Sequence, residues 1–170
     1  MMRFFTAVII LLFCLIPNVS FAQSIVWEEY ATDIRISVRA KDALFIGTPI
    51  GGAHITVIDK LTGDTIAEGT TYGKAGDKDL IMKSNNERDL IITNEDTADF
   101  TFSLDLRSPT QVSINVVAPL SQMQSIVEVT EDHLLIPGKD YSSGNGLIIE
   151  LPGIIVDTVT PSAGMTIDYD

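Results

Sequence analysis

The fold of this chain is decided by the stretch Gln111-Val-Ser-Ile-Asn-Val116, in which polar and apolar residues alternate without a break. Successive side chains of a β-strand point to opposite faces, so a period of two is typical of a strand with one buried face. The apolar members are Val112, Ile114 and Val116. We expect these three to line a core, while the polar residues between them face water.

The same alternation occurs in residues 34–39, 53–57 and 101–106, where for example Leu104 lies on the predicted buried face. Turn-forming glycine, asparagine and proline separate these stretches at short intervals. After residue 22 no stretch has apolar residues at the helical period, so nothing would serve as the crossover helix of a βαβ unit. Many short strands at this spacing predict an antiparallel sandwich or barrel.

Two segments, residues 125–136 and 147–159, are more apolar than a half-exposed strand requires. For the second segment we expect a central strand with both faces buried, or else a strand at a partner interface. Pro152 interrupts it, and a proline cannot donate a backbone hydrogen bond to a neighbouring strand. We therefore expect Pro152 to mark a strand end or a bulge.

The first 22 residues have the order of a secretory signal peptide. Arg3 precedes an apolar run over residues 4–16, and Ser20-Phe21-Ala22 supplies the small residues of a cleavage site. A membrane anchor is the alternative, but the run is shorter than the roughly 20 residues that span a bilayer. We predict cleavage after Ala22, a mature domain over 23–170 without stable membrane insertion, and a periplasmic or secreted bacterial protein.

The composition narrows the classes of partner. The formal net charge is −12, and the signal would remove one more basic residue, Arg3. Such acidity argues against nucleic acid and against anionic lipid, because both are bound by lysine and arginine. Cys14, the only cysteine, lies in the apolar run of the signal, so the mature protein would contain no disulfide and no thiolate.

The hairpin sequence of residues 53–71 resembles that of bacterial prealbumin-like and carboxypeptidase-regulatory-like sandwich domains. The resemblance rests on Asp59, Thr62 and Gly63 at the turn, and on Gly69 and Thr71 at the end of the second strand. It covers about 20 residues and implies an accessory or binding domain. Together with the alternation, it predicts an all-β fold, an antiparallel Ig-like or prealbumin-like β-sandwich, as a single domain.

No catalytic, cofactor or metal site is predicted. His54 and His133 are the only histidines and neither has a second ligand at metal spacing. Residues 69–75 depart from the phosphate-binding loop in spacing and lack its hydroxyl. Carboxylates cluster in three turns, near Asp59, Asp77 and Asp96, and calcium is the ion that such oxygen ligands would suit.

Exposed aromatic side chains are the remaining candidates for recognition, namely Trp27, Tyr30, Tyr72 and Tyr141. Tyr72 and Tyr141 are predicted to lie in loops, where binding residues concentrate, so we select them as partner-binding residues. We expect an exported, non-enzymatic protein with a binding or structural role toward a protein or glycan of the cell envelope or exterior. An acidic carbohydrate- or calcium-binding module is the alternative, and a hydrolase with an unrecognised site is the second.

Overall fold

The computed structural model describes residues 28–83 and 90–152, which form two β-sheets packed face to face. The predicted signal peptide over 1–22, Trp27 and the second half of the apolar segment 147–159 lie outside these residues. The strands are β1 (Tyr30–Ala40), β2 (His54–Asp59), β3 (Thr65–Thr70), β4 (Phe100–Leu106), β5 (Thr110–Ala118), β6 (Val127–Leu135) and β7 (Leu147–Leu151). A short helix, α1 (Lys78–Lys83), lies between β3 and β4, and 3-10 turns cover Thr48–Ile50 and Met123–Ser125.

One sheet has the strand order β4-β1-β7 and the other has the order β3-β2-β5-β6. Every pair is antiparallel except β1 and β7, which run parallel. Strand β1 is long enough to serve two neighbours, with its first half opposite β4 and its second half opposite β7. The prediction of an all-β sandwich built mainly from antiparallel strands is confirmed.

The main core lies between the two sheets, and the alternating stretches supply it as predicted. Val112, Ile114 and Val116 of β5 are fully buried and pack with Ile34, Ile36 and Val38 of β1 in one cluster. Leu104 is half-buried against the same cluster. Burying a side chain of this size removes apolar surface from water and stabilises the fold by about 1.5–3 kcal/mol.

For the apolar segment 147–159 we predicted a central strand, or else a strand at a partner interface, and the structure describes only its first part as β7. Strand β6 lies at the edge of its sheet, and β7 has a described neighbour on one side only. The outer side chains of β6 face water, including Leu134 at 56 % exposure. Apolar content alone does not distinguish an edge strand from a central one. Pro152 directly follows the last residue of β7, as predicted for a strand end.

The connection between β3 and β4 forms an extra layer on the β4-β1-β7 sheet, and here the structure differs from the expectation of no helix. The Asp77 carboxylate accepts a hydrogen bond from the Leu80 N–H at 3.0 Å at the start of α1. This helix brings Ile81 into a second small core with Phe45 and Ile92. Six residues are too few for a helical period to show in the sequence.

The extra layer covers the outer face of β1, which the alternation assigned to water. Ser37 of that face is 1 % exposed, and Ile148, its cross-strand neighbour on β7, packs against the second core. Asn145 fixes the layer, because its side chain accepts from the Ile92 N–H at 2.7 Å and donates to the Leu90 carbonyl at 2.8 Å.

No helix within residues 28–83 and 90–152 is long and apolar enough to cross a membrane.

Candidate functional site

A cleft of about 550 Å³ opens where the chain leaves β3 and where it enters β4. Three segments line it, namely residues 48–49, 72–74 and 95–99 with the exception of Ala98. These segments are distant in sequence. The cleft therefore exists because the fold brings two loops and the start of a strand together.

Backbone hydrogen bonds hold the walls of the cleft in place. The Tyr72 N–H donates to the Asp99 carbonyl at 2.9 Å, and the Asp99 N–H donates back to the Tyr72 carbonyl at 3.2 Å. The Thr48 N–H donates to the Gly73 carbonyl at 2.9 Å. Gly73 has a φ of +140°, and a Cβ there would lie 2.7 Å from Ala98 Cα, so this close approach requires glycine.

Tyr72 presents its side chain on this fixed backbone. The residue is 78 % exposed, although it is one of the largest side chains in the described part of the chain. A tyrosine supplies a wide contact area with only two rotatable side-chain bonds, so ordering it on binding costs little entropy. The sequence-based choice of Tyr72 thus corresponds to a side chain that is both accessible and well positioned.

The cleft is acidic. Burial raises the pKa of Asp99, and this effect outweighs the opposing charge of Arg35 and the hydrogen bond with Thr101. Glu95 and Asp96 add two further carboxylates to the lining. The Lys74 ammonium is already paired with Asp96 at 2.9 Å, and both side chains are well exposed. Such a cleft favours a cationic ligand, or one rich in hydrogen-bond donors.

Tyr141 occupies a different setting and does not line this cleft. Its ring packs against the main core, and the residue is half-buried. Its hydroxyl donates to the Leu134 carbonyl at 3.0 Å and accepts from the Ile136 N–H at 3.1 Å. Its backbone N–H donates to the Asp33 carbonyl at 2.8 Å. Tyr141 therefore fastens the loop after β6 to both sheets, whereas its predicted role in binding remains a prediction.

The loop that carries Tyr141 is further ordered by Asp140. Its carboxylate accepts hydrogen bonds from the Ser142 hydroxyl at 2.6 Å and from the Ser142 N–H at 2.7 Å. These bonds, with further ones from Ser143, lower the pKa of Asp140 to about 2. The carboxylate therefore stabilises the loop, because hydrogen bonds from neighbouring residues favour its charged form.

The two histidines lie apart from the cleft. His54 Nε2 is 3.2 Å from Glu68 on the outer face of β2 and β3, where the His54 side chain is partly exposed and that of Glu68 is largely exposed. His133 Nε2 is 3.5 Å from Glu131, two residues away on β6. A hydrolase site would be favoured by a buried histidine–carboxylate pair within a pocket. The half-buried His133 contact is separate from the cleft described above.

Metal ligation was the other open question. Among residues 28–83 and 90–152, no group of three or more histidine, cysteine, aspartate and glutamate side chains is placed to hold a metal ion. The turn carboxylates considered for calcium are used locally instead. Asp59, for example, accepts a hydrogen bond from the Leu61 N–H at 2.7 Å in its own turn.

Several residues of the cleft were not selected from the sequence. Thr48 and Pro49 belong to a turn flanked by glycines. Lys74 lies in the same loop as Tyr72, but only Tyr72 was selected as a candidate. Asp99 was counted only as one of several loop carboxylates. Thr48 and Tyr72 lie in separate turns that contain glycine, and their proximity depends on sheet topology.

Comparison with known proteins gave no match to a family model, to a curated protein or to a solved structure.

Proposed function

We propose that this chain is an exported, non-enzymatic β-sandwich protein that binds a protein or glycan of the cell envelope or exterior at the Tyr72 cleft. One observation carries the proposal. The Tyr72 side chain is 78 % exposed, while its backbone is fixed to Asp99 by a reciprocal pair of hydrogen bonds. Recognition sites commonly combine such a rigid scaffold with an exposed aromatic group.

The chemistry around Tyr72 supports a polar or cationic partner group. Glu95, Asp96 and Asp99 line the same cleft as Tyr72 and offer hydrogen-bond acceptors. The aromatic face supplies apolar contact, and an aromatic ring also attracts cations through its quadrupole. A lysine or arginine side chain of a partner protein would satisfy both parts of this site.

Export and the finer fold assignment belong to the same proposal. Export rests on the charged, apolar and small-residue order of residues 1–22. The Ig-like or prealbumin-like assignment rests on the hairpin of residues 53–71. A non-enzymatic role is supported by the separation of His54 and His133 from the cleft, because general acid–base catalysis most often uses histidine.

Carbohydrate is the second candidate ligand, and the pairing of Tyr72 with Asp99 favours it. A sugar ring can stack on an exposed aromatic side chain, while its hydroxyl groups donate to a nearby carboxylate. Asp99 is the most enclosed carboxylate of the lining and adjoins Tyr72 through the backbone pair. A carbohydrate would bind in the same cleft, so substitution of Tyr72 is expected to weaken the binding of either ligand.

Tyr72→Ala should weaken retention of the native ligand on the immobilised protein by about tenfold or more, as for other truncated aromatic hot spots. Retention is measured for components of the native envelope and extracellular fractions, with glycans and proteins scored separately. Leu61→Ala is the matched control, because Leu61 is 93 % exposed at the tip of the turn between β2 and β3. Equal retention by the Tyr72 and Leu61 variants would contradict the proposal.

A further inference from the structure

Strand β4 has an unpaired side. It is the outermost strand of the β4-β1-β7 sheet in the described part of the chain. An edge strand offers unpaired N–H and C=O groups, which can bind an extended segment of another chain. Whether β4 does so depends on which of its backbone groups point outward.

The register identifies those groups. The Asp33 carbonyl and the Arg35 N–H of β1 bond to Tyr141, on the side away from β4. Backbone groups of successive residues in a strand point to alternate sides. Ile34 and Ile36 of β1 therefore direct theirs toward β4, where their opposite residues are Phe102 and Phe100.

It follows that the even-numbered residues of β4 bond to β1, and the odd-numbered residues face the open side. The open series is Asp99, Thr101, Ser103 and Asp105. Its first member is already occupied, because both backbone groups of Asp99 bond to Tyr72. Tyr72 thus pairs with the first position of this edge. Within residues 28–83 and 90–152 the next three positions have no strand partner, and they extend along β4 away from the Tyr72 cleft.

The other edges carry features that hinder strand addition. Edge strand β6 directs Glu131 and His133 inward, opposite the buried Ile114 and Val112 of β5. Strand β3 pairs with β2 through a register shift, and β7 has only 5 residues. Strand β4 has 7 residues without proline, glycine or an inward-pointing charge. Inward charges, irregularities and short length are the usual protections of an edge, and β4 lacks them.

The side chains along β4 indicate the chemistry of the added strand. Phe100, Phe102 and Leu104 point to the core and remain half-buried, with the two phenyl rings stacked at 5.1 Å between centroids. The other face carries Asp105, and the cleft carboxylates adjoin its far end. An added strand would therefore alternate apolar residues with hydroxyl or basic residues. A second copy is disfavoured because each chain has a net charge of −12.

We propose that the open edge of β4 binds an extended, basic β-strand segment of a partner protein, beginning at the Tyr72 cleft and pairing with Thr101, Ser103 and Asp105. The inference rests on the proposed function, and it specifies a protein rather than a glycan as the ligand. Backbone hydrogen bonds would supply affinity, while Asp105 and the cleft carboxylates would select basic residues.

The test uses a defined probe, a blocked heptapeptide with arginine at both ends and alternating valine and threonine between them. The peptide should slow hydrogen exchange of the Thr101, Ser103 and Asp105 amides by about tenfold at saturation, because each amide gains a partner. Ser103→Pro should abolish peptide binding, whereas Ser103→Ala should retain it. Proline is tolerated here because the Ser103 N–H faces away from β1.

A second probe keeps the experiment decisive if Ser103→Pro is poorly folded. The same peptide with alternate amides methylated cannot pair with a strand edge and should not bind. Unchanged exchange at the three amides, or equal binding of the methylated peptide, would overturn the proposal. Concentration-dependent dimerisation that Ser103→Pro removes would also overturn it, since the occupant would then be a second copy.

Failure of this inference is distinguishable from failure of the proposed function. Loss of native-ligand retention in Tyr72→Ala but not in Ser103→Pro would leave the cleft as the site and refute strand addition. Loss in Ser103→Pro but not in Tyr72→Ala would refute the cleft and leave the strand edge as the site.

Discussion

Ile114→Ala is expected to lower the free energy of unfolding by about 2–5 kcal/mol, as for other large-to-small changes in a core. Ile114 is 1 % exposed and lies on β5, which has β2 on one side and β6 on the other. Its side chain packs against residues of both sheets in the main core. Alanine would leave a cavity that two sheets of fixed spacing cannot close.

Urea denaturation of the wild type and the variant measures the difference. Gln111→Ala is the matched control, because Gln111 lies on the same strand, points to the opposite face and is exposed. It should change the free energy of unfolding by less than about 0.5 kcal/mol. Similar losses in the two variants would show that the assignment of inner and outer faces on β5 is wrong.

Tyr141→Ala is expected to cost about 2–4 kcal/mol, somewhat below the loss for a fully buried aromatic ring. From the sequence alone we expected Tyr141 to be an exposed loop residue that binds a partner, and such a residue would contribute little to stability. The structure instead packs the ring on the core and places its hydroxyl between the Leu134 carbonyl and the Ile136 N–H.

Tyr141→Phe separates the two contributions. It keeps the ring and removes the hydroxyl, so about 0.5–1.5 kcal/mol should be lost, the net contribution of a typical intramolecular hydrogen bond. Thermal and urea unfolding are the measurements, and Tyr72→Ala is the control, with an expected change below about 0.5 kcal/mol for an exposed side chain. A stable Tyr141→Ala protein would contradict the fastening role.

The faces of the strands could be predicted because they are local properties. In β5 the side-chain period of two follows from backbone geometry, and burial of Ile114 on one face followed directly. The order of the strands depends on long-range pairing instead. Nothing in the composition of β6 indicates the edge position that it has in the described sheet, and the apolar residues of 147–159 led only to the alternatives of a central strand or a partner interface.

The outer face of β1 shows a second limit. Arg35 and Ser37 alternate with apolar residues as in any half-exposed strand, yet the connection after β3 covers them. Individual hydrogen bonds, such as those of the Asn145 side chain with Leu90 and Ile92, hold the connection over this face. Such a hydrogen bond joins residues more than 50 positions apart in the chain, so no periodic pattern in the sequence predicts it.

Of the residues that line the cleft, Tyr72 was selected from the sequence as a candidate. An aromatic residue within a glycine-rich loop led to Tyr72 and equally to Tyr141, because local sequence cannot distinguish an exposed ring from a packed one. The other walls of the cleft, Thr48 and Asp99, lie more than 20 residues from Tyr72 and reach it through the packing of loops. Only the pairing of the backbone revealed that association.

The central claim, that a partner binds at the Tyr72 cleft, is tested most directly by photo-crosslinking in the native host. A benzophenone amino acid is placed at position 72, and in separate proteins at positions 61 and 115, which lie on the β2–β3 turn and on the outer face of β5. The account predicts one discrete protein adduct from position 72 and none from the other two. Adducts of equal yield from position 61 or 115, or none from position 72, would contradict it.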